Sequence, residues 1–115
     1  MAAPIVFFDI AGPDSNALST FYQTVFDWDC SEPTQIVPGT PVRLEGAIRQ
    51  DPAEKVLYLG VPDITATLSQ IEAAGGSIDV PRFEVPGTVV LGLFKDPAGN
   101  RMGLVEMNGD QPVIP

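Results

Sequence analysis

The chain has no histidine and a single cysteine, Cys30, among its 115 residues. Without imidazole, Ser-His-Asp and Cys-His nucleophile systems are excluded, and so are imidazole-ligated metals and imidazole acid-base chemistry near neutral pH. Proton transfer would fall to carboxylates, Tyr22, Tyr58, Cys30 or lysine, and any metal would need the oxygen ligands that hard cations prefer. One cysteine forms no internal disulfide, which fits a reducing cytoplasm, and Cys30 reads as a partly buried bystander thiol. Basic residues are scarce too. Six Lys and Arg face 15 Asp and Glu, a formal charge of −9. Such a field repels phosphate backbones and anionic lipid, so neither nucleic acid nor a membrane is expected as a partner. No apolar run approaches the roughly 18 residues of a spanning helix, and the short stretch from Ile5 to Phe8 lacks the basic region that opens a signal peptide.

What is present is a unit written twice. Ile5 to Ile10 has β character and leads through Gly12-Pro13-Asp14 into a helical pattern; Val56 to Val61 leads through Pro62-Asp63 into another. The Pro-Asp pairs stand 49 residues apart (62 − 13). In the first helical pattern Ala17, Leu18, Phe21, Tyr22, Val25 and Phe26 form a broad apolar stripe, read as core, with Asp14 or Ser15 as the cap. In the second, Asp63 caps, Ile64, Leu68 and Ile71 form the stripe, and Gly75-Gly76 stops the helix. Trp28 to Ser31 and Val42 to Ile48 read as strands after the first helix. Ser77 to Val80, Thr88 to Lys95 and Arg101 to Glu106 follow the second, the last two joined by the turn Asp96 to Asn100.

The expected fold is therefore α+β: one domain over residues 1–115, built from two tandem βαβββ units at about 4–50 and 54–107, with an irregular tail over 108–115. Helices covering one face of a curved mixed sheet would leave the other faces around a cleft. Strand alternation assigns the sides. Phe8 and Ile10 pack under the first helix and leave Phe7 and Asp9 toward the cleft; Leu57 and Leu59 pack under the second and leave Val56, Tyr58 and Gly60. Val42, Leu44 and Ile48 suit the helix side, with Arg43, Glu45, Ala47 and Arg49 opposite. Arg43 and Arg49 on that face suit either a solvated or dimer-contact surface or the orientation of an anion.

The segment from Phe7 to Trp28, closing on Phe21-Tyr22 and Val25-Phe26-Asp27-Trp28, resembles the vicinal oxygen chelate superfamily, the group of glyoxalase, bleomycin-resistance proteins and extradiol dioxygenases. Val61 to Gly76 and the run from Phe94 through Asp96-Pro97-Ala98-Gly99-Asn100 to Glu106 are similar as well, so the resemblance spans most of the chain. In metal-dependent members a divalent ion is held by side chains from the first and last strands of each unit. Carried over, the resemblance puts the ligand positions on Phe7, Val56 and Gly103, with the fourth near Glu45 to Ile48; Glu106 falls three residues beyond, on the opposite side of its strand.

Phe7, Val56 and Gly103 bring no donor, so no metal and no cofactor is expected. The expected function is binding of a small apolar or aromatic molecule by Phe7, Val56, Tyr58 and Gly103, with Asp9, Arg43, Glu45 and Arg49 as polar determinants. The alternative is an enzyme, a glyoxalase-like lyase or a metal-free isomerase or hydrolase, using Asp9 or Glu45 as base and Tyr58 as acid. A third reading, assembly through sheet edges and tail, also stands. The resemblance implies a homodimer.

Overall fold

A computed structural model of the chain describes residues 2–32 and 44–115. The readings that fall on 33–43, Arg43 among them, lie outside the described residues. The described residues form two helices and seven strands, and the α+β class holds. In chain order these are β1 (Ile5–Gly12), α1 (Ser15–Phe26), β2 (Glu45–Gln50), β3 (Glu54–Val61), α2 (Ile64–Ala73), β4 (Ser77–Val85), β5 (Val89–Lys95), β6 (Arg101–Asn108) and β7 (Gln111–Pro112). From β3 to β6 the order is the expected βαβββ. Of the expected strand at Trp28 to Ser31, only a single bridge at Asp29 forms.

Both strand-to-helix turns work as their sequences imply. Asp14 accepts from the Ala17 N–H at 3.1 Å, and Asp63 from the Ala66 N–H at 3.0 Å. Each satisfies a helix-start donor that the helix itself leaves open. Gly75 takes φ +99 after α2, the left-handed geometry expected there.

The chain divides into two compact units, Phe7–Leu57 and a second made of the N-terminal residues up to Val6 with Tyr58–Pro115. In the first, β1 and β2 pair in parallel, Phe7 opposite Glu45 and Ala11 opposite Arg49. Phe8 and Ile48 are buried there, packed by Ile10, Leu18, Tyr22, Trp28, Cys30 and Leu44. The Tyr22 and Trp28 rings stack at 4.8 Å. Gly46 is required here, because a Cβ on it would stand 2.2 Å from the Phe8 ring. The β1 alternation is thus as the sequence implies, with Phe8 and Ile10 inside. The α1 stripe is narrower than expected. Leu18 and Tyr22 reach the core, while Phe21, Val25 and Phe26 are more than half exposed.

In the second unit, residues 58–61 of β3 pair in parallel with β6, which pairs antiparallel with β5, and β5 with β4. Val61, Ile64, Leu68, Val90, Phe94 and Leu104 form its core, Ile64 and Val90 fully buried, with Leu59 and Ile71 against them. Leu57, expected beside Leu59, is instead exposed. Part of the tail is ordered where an irregular course was expected: β7 pairs with the end of β6 and Val113 packs on the core.

Candidate functional site

Each unit carries part of the expected site, on the sheet face turned away from its helix. In the second unit that face is set by the register. Tyr58 lies opposite Gly103, Gly103 opposite Leu93, and Val105 opposite Leu91. Cross-strand partners share a side, so Tyr58, Leu91, Leu93 and Val105 make one apolar group around Gly103, Leu93 and Val105 buried and Tyr58 and Leu91 half-buried. A Cβ on Gly103 would meet two Tyr58 ring carbons at 2.2 Å. The phenol ring therefore occupies the space into which a side chain from position 103 would project.

On the reverse side, Glu106 is committed to structure. Its Oε2 accepts from the Ile64 N–H at 3.1 Å at the start of α2, and Arg82 grips both carboxylate oxygens, Nη2 to Oε1 at 2.9 Å and Nε to Oε2 at 3.1 Å. The Arg82 hydrogen bonds lower the Glu106 pKa against the opposing effect of burial, with the Ile64 N–H adding to them. A carboxyl lowered in the folded state contributes stability above its unfolded value near pH 4.3, and that contribution is lost as pH falls through the folded value. The acid limb of unfolding should accordingly be shallower in Glu106→Gln than in the parent, as read by urea titrations between pH 5 and pH 3. Equal limbs would show that the Arg82 clasp adds nothing.

In the first unit Arg49 is the hub. Its Nε donates to Asp9 Oδ1 at 2.8 Å, Nη1 to Asp51 Oδ2 at 2.7 Å and Nη2 to Glu54 Oε2 at 2.6 Å. Burial disfavours the guanidinium charge, but the hydrogen bond to Glu54 and the charge of Asp9 outweigh it and raise its pKa above the usual value. Asp9 is 8 % exposed. Arg49, expected on a solvated or dimer-contact surface or as an anion-orienting group, spends three of its five N–H donors on carboxylates of its own unit. Sequence reasoning missed Asp51 and Glu54, though they lie two and five residues from Arg49, within reach across a tight connection.

Of the other expected site residues, Val56 is 1 % exposed, Gly103 is buried, Phe7 and Tyr58 are half-buried and Glu45 is exposed. Cys30 is half-buried, and burial, then the charge of Asp29, pushes its thiol up, which suits an inert residue. Two open grooves, of about 640 and 480 Å³, border α1 and share Asp14, Ala17 and Phe21; neither touches any expected site residue.

The geometry has counterparts among solved structures. A methylmalonyl-CoA epimerase in complex with methylmalonyl-CoA and NH4+ superposes with TM-score 0.66 at 12 % identity, over 98 % of this chain and 100 % of that one. A variant of the Streptomyces coelicolor methylmalonyl-CoA epimerase, in complex with 2-nitronate-propionyl-CoA, gives 0.66 at 14 %, over 92 % and 98 %. This is the vicinal oxygen chelate fold. A Legionella pneumophila chain described as NAD-dependent benzaldehyde dehydrogenase shares it, with TM-score 0.65 at 14 % identity over 89 % and 98 %. At such identities the likeness extends to the fold, and the vicinal oxygen chelate fold hosts unrelated chemistries. No sequence-family model and no curated protein sequence matches the chain.

The family resemblance implies a metal, and of the four positions it assigns only the one near Glu45 to Ile48 brings a carboxylate, Glu45, opposite Phe7; the other three do not fit a metal. Phe7 and Val56 offer no donor atom, and position 103 has no room for one beneath Tyr58. Among the described residues no three His, Cys, Asp or Glu side chains are grouped to hold an ion. Among the described residues no helix is long and apolar enough to cross a membrane.

Proposed function

We propose that this chain is a metal-free binding protein on the vicinal oxygen chelate fold, taking a small, flat apolar or aromatic molecule against the face of the second unit's sheet that carries the half-buried Tyr58. The observation that carries the reading is the Tyr58 ring laid over Gly103, where a carboxylate or imidazole would project in a metal-dependent relative. The half-buried Tyr58 ring and Leu91, backed by the buried Leu93 and Val105, supply stacking and dispersion, the main attractions available to an uncharged ring. The enzymatic alternative gains less support. Asp9 Oδ1 already accepts from Arg49, and Glu106 is engaged by Arg82 and the start of α2.

The test is thermal shift against a panel of uncharged aromatic compounds such as indole, naphthol and coumarin, with the parent and Tyr58→Ala side by side. At a ligand concentration about 100 times Kd the parent should gain about 2.7 kcal/mol of stability, and Tyr58→Ala should gain little. Stabilisation equal in both proteins, or absent from the parent throughout, would overturn the reading. Metal analysis of protein purified without an affinity tag supplies the second arm. Well under one equivalent of Ni, Zn, Fe or Mn is expected; a stoichiometric metal would overturn the metal-free assignment.

A further inference from the structure

The chain has three asparagines, Asn16, Asn100 and Asn108, and only Asn108 is followed by glycine. That pair opens a two-residue hairpin. β6 ends on Asn108, which lies opposite Gln111 at the start of β7, so Gly109 and Asp110 alone make the loop. Gly109 takes φ +66 while Asp110 stays out of the left-handed region, the pattern of a type II′ turn with glycine first. Asn108, Gly109 and Asp110 are exposed, and nothing stands within 4 Å of the place a Gly109 side chain would take. The other two asparagines are placed differently. Asn100 donates its side-chain amide to Asp96 Oδ2 at 2.8 Å, and Asn16 stands in the first turn of α1.

We propose that Asn108 is a site of spontaneous deamidation, and that its isoaspartyl product frees the segment from Gln111 to Pro115 from the rest of its unit. The Gly109 nitrogen attacks Asn108 Cγ and a five-membered succinimide closes. The side-chain nitrogen leaves as ammonia, carrying the proton that the Gly109 nitrogen gives up. Asparagine is among the chemically labile residues, and a following glycine leaves the attacking nitrogen uncrowded by any Cβ. Water then opens the ring. Cleavage of the bond from nitrogen to Cγ gives aspartate; cleavage of the bond to the main-chain carbonyl gives isoaspartate, whose backbone runs through Cβ and Cγ.

The hairpin sets the rate. A strand residue holds its side chain off to one face, so Cγ meets the Gly109 nitrogen only when the turn opens. Few contacts hold it shut. β7 has two residues, and Pro112 donates no N–H. Beyond it the Val113 N–H donates to the Glu106 carbonyl at 2.9 Å, its side chain packs half-buried on the core, and the Pro115 carbonyl accepts from the Gly87 N–H at 3.1 Å. A terminal segment tied in this way opens at little cost. The modification then makes the opening permanent. Isoaspartate adds one backbone atom ahead of Gly109, which breaks the register of β7 on β6, and it adds a negative charge beside Asp110 in a chain already at −9.

The test is incubation of the full chain in warm, mildly alkaline buffer, followed by peptide mass spectrometry and labelling with an isoaspartyl methyltransferase. Asn108 should show the mass gain of an amide turned to an acid, mostly as isoaspartate, while Asn16 and Asn100 stay intact. The rate should rise with pH, because the attacking nitrogen must lose its proton. Val113→Ala loosens the tail without touching the reacting atoms and should speed the reaction several-fold. In the isolated isoaspartyl form, hydrogen exchange at the Val113 and Gly87 amides should become fast. Asn108→Asp has the added charge on an ordinary backbone and should keep both amides protected. No mass gain at Asn108, a rate indifferent to Val113→Ala, or an isoaspartyl form with both amides still protected would overturn the proposal.

Discussion

Gly103→Glu, which would place a carboxylate where the family resemblance puts a metal ligand, is expected to destabilise the protein on the order of 3 kcal/mol and to acquire no metal. The Cβ alone would stand 2.2 Å from two Tyr58 ring carbons, and position 103 is buried, so the ring must swing aside and the carboxylate must lose water. For a chain of this size that is a drop in Tm of roughly 10 °C. Gly103→Ala isolates the steric part and should cost about 1–3 kcal/mol. The decisive comparison is Gly103→Ala in a Tyr58→Ala background. With the ring gone the methyl group has space, so the cost should fall by more than 1 kcal/mol, a non-additivity that reports direct contact. Additive costs would show that the ring does not occupy the place assigned to it, and would remove the main support for a metal-free stacking surface.

That contact was half legible in the sequence. Period-two alternation places Gly103 and Tyr58 on one side and Glu106 on the other, and the register has Tyr58 opposite Gly103 with Glu106 bound to the start of α2. Alternation is a property of the strand itself, so it survives ignorance of the tertiary structure. The same holds for Phe8 and Ile10 against α1, and for Asp14 and Asp63 as caps.

What alternation cannot say is how far a covering helix reaches. Leu57 alternates correctly with Leu59 yet is exposed, because Leu59 alone of the two packs on the core formed with α2. Nor does helical periodicity distinguish one wide buried stripe from two stripes facing different ways. Ala17, Leu18, Phe21, Tyr22, Val25 and Phe26 satisfy both descriptions, and only the packed positions of Leu18 and Tyr22 decide between them. Side-chain ion pairs are further from view, since they depend on rotamers of long side chains. Arg49 was visible as a basic residue on the Asp9 face, and its three carboxylate partners were not.

Those partners give Arg49→Met a large expected effect. The substitution keeps much of the side-chain volume and removes the guanidinium that Asp9, Asp51 and Glu54 share. Breaking a fully buried ion pair from one side costs about 3–5 kcal/mol, and with the Arg49 side chain 31 % exposed the expected loss is nearer 2–3 kcal/mol. Truncations around the guanidinium should be graded by exposure. Asp9→Asn, at a side chain 10 % exposed, should cost most of the carboxylate set, Glu54→Gln at 27 % less, and Asp51→Asn at 52 % under about 1 kcal/mol. Arg49 keeps its charge throughout the accessible pH range, so the pH dependence of the deficit must come from the carboxylates. Without the guanidinium they repel one another while ionised and cease to do so once protonated. The gap between parent and Arg49→Met should therefore narrow as pH is lowered from 7 toward 3, as read by urea unfolding at each pH. A gap that is constant with pH would mean that the loss is one of packing and that the charges around Arg49 contribute no net stability.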